Sequence, residues 1–119
     1  MNLSTQQATI AKYMEGFRLS DHAAILDCLT EDVVWEIKGH TTLSGKAAFD
    51  GEIENEAFEG SPVLTVERMI EDGNVVAVSG VGEGKFKDGN LFRFAFCTIF
   101  TFTGVKVSRV ESFIVPLGG

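Results

Sequence analysis

The 119 residues amount to about one domain, since domains most often run ~100–150 residues, and 45% hydrophobic with 23% charged residues suits a packed globule and excludes a disordered tail. Ten Lys+Arg against 17 Asp+Glu give a net charge of −7, and no basic stripe is present to neutralise successive phosphates, which argues against a nucleic acid partner. The opening MNLSTQQATIAKY has no basic segment followed by a long apolar one, and no apolar run approaches the ~20 residues of a membrane span, so a soluble, cytoplasmic protein is expected.

Taken in chain order, Ser4-x-x-Gln7 is a capping-box pattern, and Ile10, Tyr13, Met14 and Phe17 follow at i, i+3, i+4, i+7. This predicts an amphipathic first helix with Tyr13 on its apolar side. SDHAAILDCLTED predicts a short second helix, capped by Ser20 or Asp21, with Ile25, Leu26 and Leu29 as its buried stripe. VVWEIKG switches to period two, placing Val33, Trp35 and Ile37 on one side of a strand and Val34 and Glu36 on the other. After a turn through Gly39 to Leu43, SGKAAFDGEIENEAF reads as a third helix capped by Ser44, with Phe49, Ile53 and Ala57 inward and Gly51 as a weak point.

From Gly60 onward the pattern is β throughout. PVLTVERMIED, NVVAVSGVGEGKFK, NLFRFAFCTIFTF and VKVSRVESFIVPL are separated by Asp72-Gly73, Asp88-Gly89 and Thr103-Gly104, which predicts an antiparallel meander. Three helices and then one long sheet give an α+β fold: a cone-shaped, curved antiparallel sheet whose concave face is covered by the three N-terminal helices. The glycines at 80, 82 and 84 strip side chains from one side of the second meander strand, as a bend or a close backbone approach requires. In the third meander strand phenylalanines stand at 92, 94, 96, 100 and 102, and Thr98 occupies the place of a sixth. The rings fill the concave side, and the threonine leaves a notch.

The residues KYMEGFRLSD, ILDCLTEDVVWEIKG and LSGKAAF, followed by a meander ending FTGVKVSRVESF, resemble the SnoaL-like branch of the nuclear transport factor 2-like superfamily over nearly the whole chain. The resemblance implies one domain over residues 1–119, a cystatin-like roll, and an apolar pocket for a small molecule. Against the ketosteroid isomerases of that superfamily, Tyr13 falls at the oxyanion-hole tyrosine, but the general-base aspartate falls at Ile37 and the protonated aspartate at Thr98. Steroid isomerisation by that mechanism is therefore not expected. The constellations of the epoxide hydrolase and dehydratase relatives cannot be placed here.

The resemblance implies inward positions at Val33, Trp35 and Ile37, at Ser79, Val81 and Glu83, at Phe96, Thr98 and Phe100, and at Arg109, Glu111 and Phe113. Arg109 and Glu111, two apart on one strand, share a face. They are either an acid–base pair in the cavity or a structural ion pair or solvated edge. On the first reading Glu111 transfers a proton while Tyr13 and Arg109 orient the substrate, giving a cofactor-independent isomerase, cyclase, lyase or hydrolase. On the alternative the protein is a non-catalytic binding or dimerisation module. Glu83 shares the implied inward face, but near the outer end of its strand it reads rather as an exposed carboxylate; Glu36 points away by alternation, His40 borders the pocket mouth or lies on the surface, and Arg93 suits a subunit interface. Cys28 and Cys97 lack a Cys-x-x-Cys pattern, and His22 and His40 lack ligand spacing, so no disulfide, metal or cofactor is expected. A homodimer through the outer sheet face is expected, because that face would carry Ala95, Cys97, Ile99 and the bare glycines.

Overall fold

The computed structural model describes residues 3–54, 60 and 62–118. Helix α1 spans Thr5–Leu19. Its capping box forms as expected: the Ser4 hydroxyl accepts from the Gln7 backbone N–H, and the Gln7 side chain accepts from the Ser4 N–H, each at 3.1 Å. The helix stops at Ser20, which takes a left-handed conformation (φ 53°) and lets the Asp21 N–H donate back to the Gly16 carbonyl at 2.8 Å. Helix α2 (His22–Asp27) then starts under the Asp21 carboxylate, which accepts from the Ala24 N–H. It lies so close to α1 that a Cβ at Gly16 would meet Ile25 Cγ1 at 2.7 Å.

Strand β1 covers Leu29–Ile37, so Leu29 opens a strand instead of closing a helix. The expected turn after Gly39 contains a short edge strand, β2 (Thr41–Ser44), paired antiparallel with β1. Ser44 sits in that ladder opposite Val34, and helix α3 (Lys46–Glu52) starts after Gly45 without a side-chain cap. The helix ends one residue past Gly51, where backbone entropy opposes continuation. Phe49 is fully buried and Ile53 packs on the core, whereas Ala57 lies outside the described residues. His22 ties α2 to the end of α3, with Nδ1 2.6 Å from Asp50 and Nε2 3.0 Å from Glu54. Those two carboxylates, Asp50 foremost, raise the imidazole above its ordinary value.

The meander follows as β3 (Val63–Asp72), β4 (Val75–Lys85), β5 (Leu91–Thr103) and β6 (Lys106–Pro116). The six strands form one curved, unclosed sheet in the order β2-β1-β6-β5-β4-β3. The α+β class is as expected, with one addition: β1 pairs with β6 in parallel. A hairpin forces antiparallel pairing, but β1 and β6 are joined by most of the chain, so that connection imposes no direction.

Two irregularities set which side chains face the helices. On β3 the register with β4 slips between Val66 and Arg68, and on β6 the register with β5 slips between Thr101 and Phe102, which pair with Arg109 and Val107. Ser108 is the extra residue of the second slip. The core on the helical side joins Ile10, Tyr13, Ile25 and Phe49 of the helices to Val33, Trp35, Val76, Val78, Phe94, Phe96, Phe100, Phe102, Val107 and Val110 of the sheet.

The inner face of β4 is the glycine face, which corrects the expected orientation of that strand. Gly80 and Gly82 pair with Phe96 and Phe94 and are buried with Gly84, while Val81 and Glu83 point outward. The space a side chain would need is already filled: a Cβ on Gly82 would lie 2.3 Å from the Phe94 ring, and one on Gly80 would lie 2.0 Å from the Thr65 carbonyl oxygen. The outer sheet face therefore carries Ala95, Cys97 and Ile99 without the glycines, and Val81, Phe113 and Val115 are exposed.

Candidate functional site

A cavity of about 160 Å³ lies between α1 and the inner sheet face. Helical periodicity brings Tyr13, Met14 and Phe17 to its roof, since positions three and four apart share a face. Strand alternation brings Phe94, Phe96, Thr98 and Phe100 of β5 to its floor, with Trp35 of β1 and Ser112 and Ile114 of β6 beside them. Pro62 and Leu64 complete the wall. The notch at Thr98 does border the void, and Tyr13 faces the same void from the helix.

The aromatic rings of the wall pack against one another and against the core. Tyr13 meets Phe100 edge-on with centroids 5.1 Å apart and Phe17 at 5.0 Å, and Trp35 stacks on Phe49 at 4.4 Å. Tyr13 is nearly fully buried, and burial pushes its phenol well above the ordinary value of 10. It therefore stays protonated at neutral pH, and its hydroxyl is available as a hydrogen-bond donor. Across the floor the Trp35 indole N–H donates to the Ser112 hydroxyl at 3.0 Å. The remaining polar atoms of the wall are hydroxyls. Among the described residues no Asp, Glu, His, Lys or Arg lines the cavity.

Of the residues singled out from the sequence, Tyr13, Trp35, Phe96, Thr98 and Phe100 meet at this cavity, and Ile37 packs against the same core without lining the void. Arg109, Glu111 and Phe113 do not. They share a face as alternation requires, but it is the outer one. Arg109 Nε donates to Glu111 at 3.0 Å and its Nη2 to Glu36 at 2.8 Å. Phe113 is partly exposed beneath the Lys38 ammonium, 5.3 Å from the ring centroid. The correction has a local cause. Counting by twos from buried Val107 leads to Arg109, Glu111 and Phe113, but the extra residue at Ser108 shifts the frame by one, so Val110, Ser112 and Ile114 point inward.

Val81 and Glu83 also lie outside, in a shallow groove with Val63, Thr65 and Arg93. Glu36 points away from the cavity, where Lys38 first and Arg109 second hold its carboxyl below the usual range. Sequence reasoning missed Met14, Phe17, Pro62, Leu64, Phe94, Ser112 and Ile114 as pocket residues. Phe17 and Phe94 were legible, since each continues a pattern already used for Tyr13 and Phe96. Ser112 was not, because its orientation depends on the slip at Ser108.

Among the described residues no group of three His, Cys, Asp or Glu is arranged to hold a metal, and no helix is long and apolar enough to cross a membrane. The donor set of the cavity, hydroxyls and one indole, suits an organic ligand better than a cation that needs carboxylate or imidazole.

A family profile for the SnoaL-like domain matches residues 10–110. Among solved structures, the chain is similar to TerC co-crystallised with polyporic acid, at 24% identity over 94% of this chain and 92% of that one, with a TM-score of 0.85. It is similar to an NTF2-like protein of unknown function from Burkholderia pseudomallei, at 19% identity over 95% and 92%, with a TM-score of 0.84. A protein with a ketosteroid isomerase-like fold from Catenulispora acidiphila, in complex with trimethylamine, shares 14% identity over 88% and 83%, with a TM-score of 0.79. At these identities the likeness to the solved structures is one of fold. A search of curated proteins by sequence finds no match.

Proposed function

The chain belongs to the SnoaL-like domain family, and from that membership we propose that it is a small-molecule-binding protein whose ligand occupies the aromatic cavity beneath α1, held by burial and by hydroxyl hydrogen bonds, without a carboxylate acid–base pair. The observation that carries this reading is the composition of the wall: six of its residues bear aromatic rings, and its polar atoms come from Tyr13, Thr98, Ser112 and the Trp35 indole. Two solved relatives of the same fold hold small organic molecules, polyporic acid in one and trimethylamine in the other, which supports a cavity of this fold as a ligand site. Two free cysteines, Cys28 and Cys97, suit the reducing cytoplasm.

Within this proposal Arg109 and Glu111 are a structural pair on the outer face. Glu111→Gln leaves ligand affinity within about 2-fold, whereas Tyr13→Phe, which deletes one hydroxyl and keeps the ring, weakens it roughly 3- to 10-fold. Both are read by titration against the fluorescence of Trp35, the single tryptophan of the chain. An effect of Glu111→Gln larger than that of Tyr13→Phe would sink the assignment. A catalytic reading is supported by one feature, the protonated Tyr13 phenol at the roof of the cavity, a group able to polarise a carbonyl that reaches it. Turnover of a bound ketone that stops in Tyr13→Phe would establish it.

A homodimer through the outer sheet face belongs to the same proposal. Val81, Phe113 and Val115 are exposed there beside the partly buried Cys97 and Ile99, a surface that association removes from water. Light scattering at micromolar concentration is expected to give twice the 12.9 kDa chain mass. A single-chain mass would remove this element.

A further inference from the structure

The floor of the cavity carries a pair of hydroxyls whose arrangement selects among ligands. Thr98 of β5 and Ser112 of β6 are direct partners across the antiparallel ladder and both face inward, so their side chains stand next to each other. Ser112 is 8% exposed and accepts the Trp35 N–H. A hydroxyl that accepts in this way keeps its own proton for donation. Among the described residues neither hydroxyl donates to a protein acceptor. The floor therefore presents hydrogen-bond donors to whatever lies above it.

Size and charge narrow the occupant further. Pockets for drug-sized ligands enclose ~300–1,000 Å³, whereas an apolar cavity of ~150 Å³ accepts benzene. At about 160 Å³, the space here matches one ring. The rings of Tyr13, Trp35, Phe94 and Phe100 line it, which favours an apolar ring. With no charged side chain among the described lining residues, an ionised ligand would lose its water without gaining a counter-charge from them.

We infer that the cavity selects an uncharged one-ring organic compound bearing a carbonyl oxygen, with that oxygen on the Thr98–Ser112 floor. The inference rests on the binding reading above and adds the ligand class and the oxygen subsite.

The test is a titration of the full chain with a matched set of probes, following Trp35 fluorescence and confirming by calorimetry. The set is cyclohexanone, methylenecyclohexane, cyclohexanecarboxylate, cyclohexyltrimethylammonium and the two-ring 2-decalone. Cyclohexanone is expected to bind roughly 3- to 10-fold more tightly than methylenecyclohexane, which has the same shape without the acceptor. The carboxylate, the ammonium and the two-ring ketone are each expected to bind at least 10-fold more weakly than cyclohexanone. Ser112→Ala should erase the preference for the ketone over the alkene. Thr98→Val, which keeps the shape and removes only the hydroxyl, should reduce it and decides the matter if the first variant does not fold. Equal binding of ketone and alkene in the wild type, or tighter binding of the carboxylate, the ammonium or 2-decalone, overturns the ligand class and leaves small-molecule binding standing. If none of the five probes binds, both the inference and the binding reading on which it rests are wrong.

Discussion

Replacing Phe100 with alanine lowers stability by about 3–5 kcal/mol, the range for truncating a fully buried aromatic side chain. The upper half of the range is expected, for a specific reason. Phe100 has no exposed surface, pairs with Val76 and Val110 across the sheet, and supports the Tyr13 ring edge-on at 5.1 Å. Cores recover part of such a loss by collapsing into the vacated space, but this side chain already borders a cavity of about 160 Å³. The new void joins the old one, so a larger space would have to collapse. The measurement is urea denaturation, with Phe113→Ala as the reference: the same deletion on the outer face, where the side chain is 37% exposed, should cost less than about 1.5 kcal/mol. Near-equal losses for the two variants would show that the inner face of β5 is not the core. Among variants that remain folded, the enlarged space is expected to admit 2-decalone.

Gly80→Val is expected to be at least as damaging, through overpacking. A Cβ at this position would stand 2.0 Å from the Thr65 carbonyl oxygen and 3.1 Å from Val66 Cα, so the clash is with the backbone of the neighbouring strand. Overpacking typically costs ~1–3 kcal/mol because side chains rotate aside, and occasionally more. Backbone held in a ladder has no rotamer to change, so a loss of about 3 kcal/mol or more is expected, together with a change in the β3–β4 register. Gly51→Ala is the control. Nothing lies within 4 Å of its added Cβ in α3, and the substitution should be neutral or stabilise by roughly 0.5–1 kcal/mol as glycine leaves a helix. Denaturation midpoints for the two variants decide it. If Gly80→Val keeps wild-type stability, the close approach of β3 to β4 is not a constraint of the fold.

These two positions also mark where sequence reasoning succeeds and fails. Phe100 was legible as inward because it belongs to an alternating series with strong apolar contrast on one strand. Tyr13 was legible because a helix repeats every three to four residues and its neighbours Ile10, Met14 and Phe17 share the stripe. In both cases the signal is local: a side chain's direction follows from its own strand or helix. Gly80 was legible as unusual and misread in direction. The resemblance implies that Val81 faces inward, but the inside of this half of β4 is bare because β5 rings and β3 backbone fill it.

Local pattern thus determined most of the fold and half of the site. The capped first helix, the four meander strands, and the shared faces that group Tyr13 with Met14 and Phe17, Trp35 with Val33 and Ile37, and Thr98 with Phe96 and Phe100 follow from periodicities of 3.6 and 2; that the strand faces point inward is what the resemblance implies. Tertiary structure alone decided the parallel pairing of β1 with β6, the face of β6, and hence the chemistry of the cavity. A strand's side chains alternate only within an unbroken register, and the slip opposite Thr101 and Phe102 is set by pairing with another strand, where neither composition nor spacing along β6 records it. That one extra residue turns Arg109 and Glu111 to the outer face and Ser112 to the cavity floor, replacing an expected acid–base pair with a hydroxyl.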